Sequence, residues 1–445
     1  MHREKIAQEV MVRIRNEKIK FVELQFMDIQ GMVKTVSIPA SHLPHAIEDG
    51  ILFDGSSIMG YATVDESDLR AYPDLNTFLI YPWSNEKVKT GSMICDIYDS
   101  NGKQFEGDPR YILKKTIERA KKMGYYFNVG PELEFFLFRL NGNGDPTNIP
   151  DESGGYFDLM PLDRAEKVRK ECTLDFEEMG FEVEASHHEV ASGQHEIDLR
   201  YDEALKIADR ILTLKHCIKT IAKQNSLHAT FMPKPITGVN GTGMHIHQSL
   251  MDRKGNNVFY NSDGEDQVSD IFRYYTGGVL KHAKETCGIL ASWVNSYKRL
   301  VPGYEAPVYV SWAYLNRSAL ARVPAGRGKG TRLEIRNPDP AGNPYLQFSV
   351  LLASGLNGID NKIDPGPAVD EDVFSMTDDE KSKKGIEALP SNLGHALSYI
   401  EQSEFIKETL GEHIQRHFLY VKRREWDEYR QQVTDWEIKK YLSSL

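Results

Sequence analysis

Apolar and charged residues at the start of the chain recur at helical spacing. Ile6, Val10 and Ile14 stand four residues apart, which predicts an amphipathic helix over 3–18. From Lys20 to Phe26 the period drops to two. Val22, Leu24 and Phe26 share one face, and Phe21, Glu23 and Gln25 the other, as in a strand. Asp28-Ile29-Gln30-Gly31 supplies a turn and Met32–Ile38 a second strand, so a hairpin is expected. A short helix with breakers at its ends follows over Pro39–Gly50, then strands at Phe78–Trp83 and Met93–Tyr98. The first hundred residues thus predict a small mixed sheet carrying a helix. The turn-rich stretch Asp99–Pro109 marks a domain boundary. Asp108 is placed to cap a helix that has Pro109 at its first position, runs to Met123 and stops at Gly124. Beyond it the pattern mixes helices, such as Asp202–Asn225, with isolated polar-faced strands, and ends in a helical tail from Asn392.

The polar-faced strands carry the candidate chemistry. In Gly130–Phe138 the period of two puts Glu132 and Glu134 on one face, ~7 Å apart. Two carboxylates in an apolar strand repel each other and are costly to bury unless a cation joins them. Alone, the pattern reads rather as an edge strand with a wet acidic face. Ser186–Asp198 adds Glu189 and Glu196 around a Ser-Gly turn that can bring them together. Gly241–Ser249 alternates His245, His247 and Ser249 onto one face after two glycines that loosen the backbone. In Thr331–Arg336, Leu333 and Ile335 point one way, and Arg332, Glu334 and Arg336 the other. Such strands line a water-accessible channel rather than a core. Glu132, Glu134, Glu189, Glu196, Glu334 and His245 suffice for two metal sites, and oxygen-rich ligation without thiolates selects Mg²⁺ or Mn²⁺. Arg299, Arg317, Arg322, Arg327, Arg332 and Arg336 add guanidinium forks that suit carboxylate and phosphate. Two divalent ions with several arginines equip a site for phosphoryl transfer from a nucleotide. No G-x-x-x-x-G-K-[ST] is present, so a P-loop is excluded.

Composition narrows the class. At 445 residues the length suggests two or three domains of roughly 150 residues each. With 40% apolar and 27% charged residues, a collagenous or largely disordered chain is excluded. Fifty-four basic against 65 acidic residues argue against a nucleic-acid partner. Cys95, Cys172, Cys217 and Cys287 lie far apart, which speaks against a disulfide framework or thiolate zinc and fits a reducing cytoplasm. No apolar run approaches the ~18–20 residues of a membrane span, and the charged start has no signal-peptide core. The expectation is a soluble cytoplasmic protein with no membrane partner.

Several segments, in order, resemble class I glutamine synthetase over essentially the whole length. They are FDGSS (53–57), GPELEFF (130–136), HHEVASGQHEID (187–198), ATFMPKP (229–235), NGTGMHIHQS (240–249), KRLVPGYEAP (298–307), NRS (316–318) and RLEIRNPDPAGNPY (332–345). The resemblance implies an α+β fold: a small β-grasp N-terminal domain over 1–103 and a large α/β catalytic domain of the glutamine synthetase/guanido kinase type over 104–445. It implies polar-faced strands lining a funnel, and a homo-oligomer, a dodecamer of two stacked hexameric rings with sites between subunits. The implied reaction joins ammonia to glutamate with ATP, through γ-glutamyl phosphate. Glu134, Glu189 and Glu196 would hold one metal, and Glu132, His245 and Glu334 the other. Arg299, Arg336, Asn240 and Gly241 would bind the amino acid, and Arg317 and Arg322 the transferring phosphoryl group. Glu184, Tyr201, His247, Ser249 and Arg332 match nucleotide positions. Glu305 would be the flap carboxylate, and Asp54 the ammonium ligand, working across a subunit boundary. The adenylylated branch has a Tyr just before a Leu-Pro. Here Gly385-Ile386-Glu387-Ala388-Leu389-Pro390 has none, which fits the short branch that glutamine feedback-inhibits. An Arg that often follows FDGSSI in that branch is absent from Met59–Thr63. Nitrogen-response transcription regulators stay open as further partners.

Overall fold

The computed structural model describes residues 2–264 and 266–445. An opening helix, His2–Asn16, buries Val10 and Ile14. The N-terminal sheet contains β1 (Phe21–Met27), β2 (Val33–Pro39), β3 (Ile51–Asp54), β4 (Asp68–Pro73), β5 (Leu79–Ile80) and β6 (Thr90–Tyr98). Its order is β2-β1-β6-β4-β3, with β5 paired to β6. β1 and β2 form the expected hairpin, and β1 runs parallel to β6. The short helix Leu43–Asp49 ends at Gly50, whose φ of 68° is the left-handed turn that glycine tolerates. Two details differ from the sequence pattern. The strand expected over Phe78–Trp83 shrinks to Leu79–Ile80, because Pro82 has no N–H to give a ladder and Tyr81 stacks on Trp83 at 4.6 Å. β3 and β4 went unforeseen, being short and only partly buried on either side of an irregular segment.

Asp108 caps the helix Pro109–Lys122 by accepting from Arg110 N. Buried Arg110 is paired with Asp74 and Asp96 on one side and Asp209 on the other, a charged rivet between the small sheet and the rest of the chain. The large sheet begins with β7 (Tyr126–Leu140), the longest strand and the one that organises the rest. β8 (Pro146–Pro150), β9 (Val183–His188), β10 (Gln194–Leu199), β11 (Asp202–Glu203), β12 (Leu227–Thr230), β13 (Met244–Met251), β14 (Trp312–Tyr314), β15 (Ala321–Val323) and β16 (Leu333–Ile335) complete it. The main order is β14-β15-β16-β13-β7-β10-β9. Helices Ala204–Gln224 and Pro344–Asn361 bury long apolar faces. The expected helix Asp202–Asn225 is therefore two residues shorter at its start, where β11 pairs with β7. The tail is three helices, Leu393–Gln402, Glu404–Arg430 and Asp435–Tyr441; Gly411 (φ 82°) breaks the second. No described helix is long and apolar enough to cross a membrane.

Candidate active site

The site follows from strand register. Across antiparallel strands, directly opposed residues share a face. Glu132 opposes His245 on β13 and Asp198 on β10, while Glu134 opposes Glu196. Glu196 in turn opposes His187 on β9. On the other flank His247 opposes Glu334 on β16, and Glu334 opposes Arg322 on β15. Alternation sends Leu133, Ile197, Met244, Ile246, Leu333 and Ile335 to the opposite face, all at most 1% exposed. One sheet thus has a dry face and a charged face.

The charged face floors a cavity of about 300 Å³. Every expected metal ligand lines it, together with Asn240, Gly241, Arg299, Glu305, Arg317, Arg322 and Arg336. Ligand atoms of Glu132, His245 and Glu334 lie within 4.8 Å of one another. Glu134, Glu189 and Glu196 share the cavity without being drawn that close. Burial opposes the charge on Glu132, but hydrogen bonds from His245 and His247 outweigh it and hold the carboxyl well below its ordinary value. Glu334 also overcomes burial, through His247 and Arg336, and falls to about 2. The second group behaves in the opposite sense. Burial and the Glu189 charge push Glu134 up to about 8. Burial and the Glu134 charge raise Glu196 well above the ordinary range, and burial raises Glu189. Carboxylates crowded in this way fit a divalent cation, which would remove their mutual repulsion.

Glycines allow the close approach. A Cβ on Gly243 would lie 2.6 Å from Arg299 Nη2, and one on Gly241 would lie 2.3 Å from Pro233 O. Neither has a positive φ, so proximity rather than the looseness expected from the sequence explains them. Arg299 is buried and donates to the carbonyls of Arg336, Asn337 and Pro338 at 2.9–3.2 Å. Arg336 pairs with Glu334 and keeps a buried Nε without a partner. At the mouth, Glu305 accepts from Asn240 Nδ2 at 3.2 Å, and Lys234 lies over the Tyr304 ring at 3.8 Å.

A second cavity of about 230 Å³ is lined by Glu184, Tyr201, His247, Ser249 and Arg332, all five expected nucleotide residues. Arg332 Nε donates to His247 Nδ1 at 3.1 Å, so the ring hydrogen sits on Nε2, which donates to Glu132 at 2.7 Å. Glu132 and Asp198 line both cavities. Asp54 lines neither. It is exposed at the end of β3, where it accepts from Ser56 and Ser57, bonds that lower its pKa.

The family model described as "Glutamine synthetase, catalytic domain" matches residues 106–441, and "Glutamine synthetase, beta-Grasp domain" matches 18–100. The chain belongs to the class I glutamine synthetase family. It is 49% identical to the glutamine synthetase of Methanosarcina mazei, with 98% of each chain covered. It is 47% identical to that of Thermotoga maritima, over 96% of this chain and 98% of the relative. Among solved structures, a GmaS/ADP complex superposes with a TM-score of 0.89 at 32% identity, covering 97% of this chain and 99% of that one. The fold is a β-grasp N-terminal domain with a large catalytic domain. The activity is that of a ligase, the ATP-dependent synthesis of glutamine from glutamate and ammonia. ATP as substrate and a divalent metal come with the glutamine synthetase family.

Sequence reasoning left Asp198, Gln194, His187, Tyr156 and Tyr304 without roles, although all line the larger cavity. Asp198 and Gln194 stand two residues either side of Glu196 on β10, so the same period of two points to them. Burial and the Glu196 charge push Asp198 up to about 9. Gln194 Nε2 donates to Glu134 at 2.7 Å and to Gly241 O at 3.0 Å.

Proposed function

We propose that glutamine forms here in two steps through γ-glutamyl phosphate. The observation that carries this reading is the wall of Glu132 and Asp198 common to both cavities. An amino acid in the larger cavity and a nucleotide in the smaller one would meet there. In the first step a side-chain carboxylate oxygen of glutamate attacks the γ-phosphorus, and the bond to the ADP oxygen breaks. Arg317 and Arg322 face the moving group, while Arg299, Arg336, Asn240 and Gly241 hold the amino acid. Glu184, Tyr201, His247, Ser249 and Arg332 hold the nucleotide. In the second step ammonium gives a proton to Asp54 or Glu305, the lone pair of the resulting ammonia attacks the acyl carbon, and phosphate leaves carrying the second proton that the nitrogen sheds. Glu305 and Asn240 bridge the mouth and keep water from the acyl phosphate. Mg²⁺ or Mn²⁺ would be held by Glu134, Glu189 and Glu196, and by Glu132, His245 and Glu334. Bound there, the ions supply charge neutralisation for the phosphates.

The exposure of Asp54 supports a site completed by a neighbouring subunit, in the dodecamer of two hexameric rings. Asp54 also favours ammonium over a larger amine. So do the curated glutamine synthetases at 47–49% identity. We place the domain boundary at 103/104, the enzyme in the cytoplasm, and its control in glutamine feedback rather than adenylylation, since Ile386 stands where the other branch has Tyr. The test uses glutamate labelled with heavy oxygen in its side-chain carboxylate. One label should appear in the released phosphate for each glutamine formed. Label-free phosphate would overturn the acyl-phosphate route. Methylamine in place of ammonium should give little product.

A further inference from the structure

Away from the cavity floor, the described residues hold two more clusters of carboxylate and imidazole, and proton positions separate them. In Glu152–His188–His195, Arg169 Nη1 lies 2.8 Å from His195 Nδ1. A guanidinium only donates, so Nδ1 keeps the lone pair and the ring hydrogen sits on Nε2. That nitrogen faces Glu152 at 3.5 Å and has nothing to offer a metal. His188 has acceptors on both sides, Glu189 O at 2.6 Å and the Glu152 carboxylate, so both of its nitrogens donate. This cluster is a hydrogen-bonded strut beneath Glu189.

Glu66, His413 and His417 are built differently. The break at Gly411 restarts the helix Glu404–Arg430 with His413 and His417 one turn apart, their rings stacked at 4.2 Å and 7°. His413 Nε2–H donates to Tyr61 O at 2.9 Å. That bond fixes the tautomer and leaves a lone pair on Nδ1, the orientation that outer partners give to metal-binding histidines. This Nδ1 stands 3.9 Å from Glu66 Oε2. The gap is too long for a hydrogen bond. It is near the ~3.3–3.4 Å that separates ligand atoms around a tetrahedral ion with bonds of about 2.0–2.1 Å. A ring nitrogen of His417 completes a set within 4.8 Å. Both imidazoles are buried, at 9% and 8% exposure, whereas Glu66 faces solvent and leaves an entry path. Gly107 makes room, since a Cβ there would lie 2.7 Å from His413 Nε2. Arg416 Nη2 lies 3.3 Å from His417 Nε2 and takes up its lone pair, but unlike buried Arg169 this guanidinium is exposed, so an ion binds by displacing it.

We propose that Glu66, His413 and His417 bind one divalent transition-metal ion of the zinc class, with water as the fourth ligand. Two imidazoles and one carboxylate suit zinc better than magnesium, unlike the oxygen-rich cavity floor. The ion ties two parts of the chain together. Glu66 ends the loop that begins at Asp54, and its turn Val64–Glu66 packs on the turn Gly55–Ser57. Occupancy fixes that loop to the helix Glu404–Arg430 and steadies the segment carrying Asp54.

The test holds the full-length protein in excess Mg²⁺ and titrates Zn²⁺ alone, counting metal retained after gel filtration. One Zn²⁺ per chain should survive the Mg²⁺. Glu66→Gln and His417→Gln should weaken its binding by at least about tenfold while keeping Mg²⁺-dependent glutamine formation. Arg416→Gln removes the competing cation from a solvent-exposed position and should tighten Zn²⁺ binding, an effect that damage to the fold does not mimic. Co²⁺ should give a visible absorption band in the wild type that both ligand variants lose. Zn²⁺ uptake equal in wild type and His417→Gln, or weakened by Arg416→Gln, would overturn the proposal.

Discussion

At one end of the cavity floor, Glu132 and Glu334 are surrounded by donors: His245, His247, Arg322 and Arg336. At the other end, Glu134, Glu189 and Glu196 face one another, with one amide, one imidazole and two backbone N–H groups for relief. The first end is balanced by the protein itself and its carboxyls are held low. The second is left with surplus negative charge and its carboxyls are driven up. Equal numbers of ligands therefore do not mean equal dependence on metal. The first group is a structural ion-pair network that can also ligate, whereas the second is stable as charged carboxylates only with a cation among them.

The largest expected effect is on turnover, and it is common to both ends. Glu334→Gln and Glu134→Gln should each lower glutamine formation on the order of a hundredfold or more at saturating Mg²⁺. Wild-type turnover in a folded Glu334→Gln protein would remove the first end from the chemistry.

Stability should separate what activity does not. Glu334 is fully buried between two guanidinium groups. Neutralising it strands both, at a cost of about 3–5 kcal/mol. Glu134 prefers its proton even at neutral pH, so glutamine imitates the state it already favours. Urea unfolding of the metal-stripped proteins at pH 7 should show Glu334→Gln well below wild type and Glu134→Gln level with it or above. Equal losses would mean that the two ends are balanced alike.

Much of this contrast could be read in the chain, and the unread part has a physical cause. Alternation in Gly130–Phe138 and Thr331–Arg336 exposed the two-faced strands, because period two is a local property. Which residue opposes which is not local. The pairings of Glu132 with His245 and of Glu334 with Arg322 depend on segments over a hundred and about a dozen residues apart, respectively, docking in register. The asymmetry between the two ends follows from those pairings, so no single motif contains it. The strands flanking the segment 55–67 escaped notice for a related reason: each is short, and only pairing with its neighbour defines it. The family motifs supplied site residues that the periodicity left without partners, Asp54 and Glu305 among them.

The pH dependence should carry opposite signs at the two ends. A carboxyl raised in the folded state adds stability below its ordinary value and loses it as pH rises through the folded value. Glu134, ordinarily near 4.5 and here about 8, should thus make the metal-stripped protein less stable between about pH 5 and pH 8. Saturating Mg²⁺ should flatten or reverse that slope, because it binds the deprotonated form. Glu334, lowered to about 2, gives stability that is present above its ordinary value and lost as pH falls through 2, an acid limb that metal leaves largely alone. Thermal unfolding across pH, with and without Mg²⁺, reads both limbs. A metal-stripped protein whose melting temperature rises steadily to pH 8 would contradict the crowding of the second end.

The smallest effect tests how that crowding is contained. Gln194 donates one amide hydrogen to Glu134 and one to Gly241 O, so it stabilises the Glu134 charge and also pins the loop above it. Gln194→Leu keeps the bulk and removes both bonds, together with the one that Gln194 Oε1 accepts from Ala191 N at 3.2 Å. Glu134 should then hold its proton more tightly, and more metal will be needed to displace it. The Mg²⁺ concentration for half-maximal activity should rise about tenfold, the lower range for loss of an outer partner. Turnover at saturating Mg²⁺ should change little, since the ion itself restores the charge balance. The matching change at the first end, Arg332→Leu, removes the donor to His247 but leaves Glu132 its hydrogen bonds from His245 and His247. Its effect should fall on the KM for ATP rather than on metal. A shift in metal requirement from Arg332→Leu as large as that from Gln194→Leu would mean that the two ends share one electrostatic reservoir, not two.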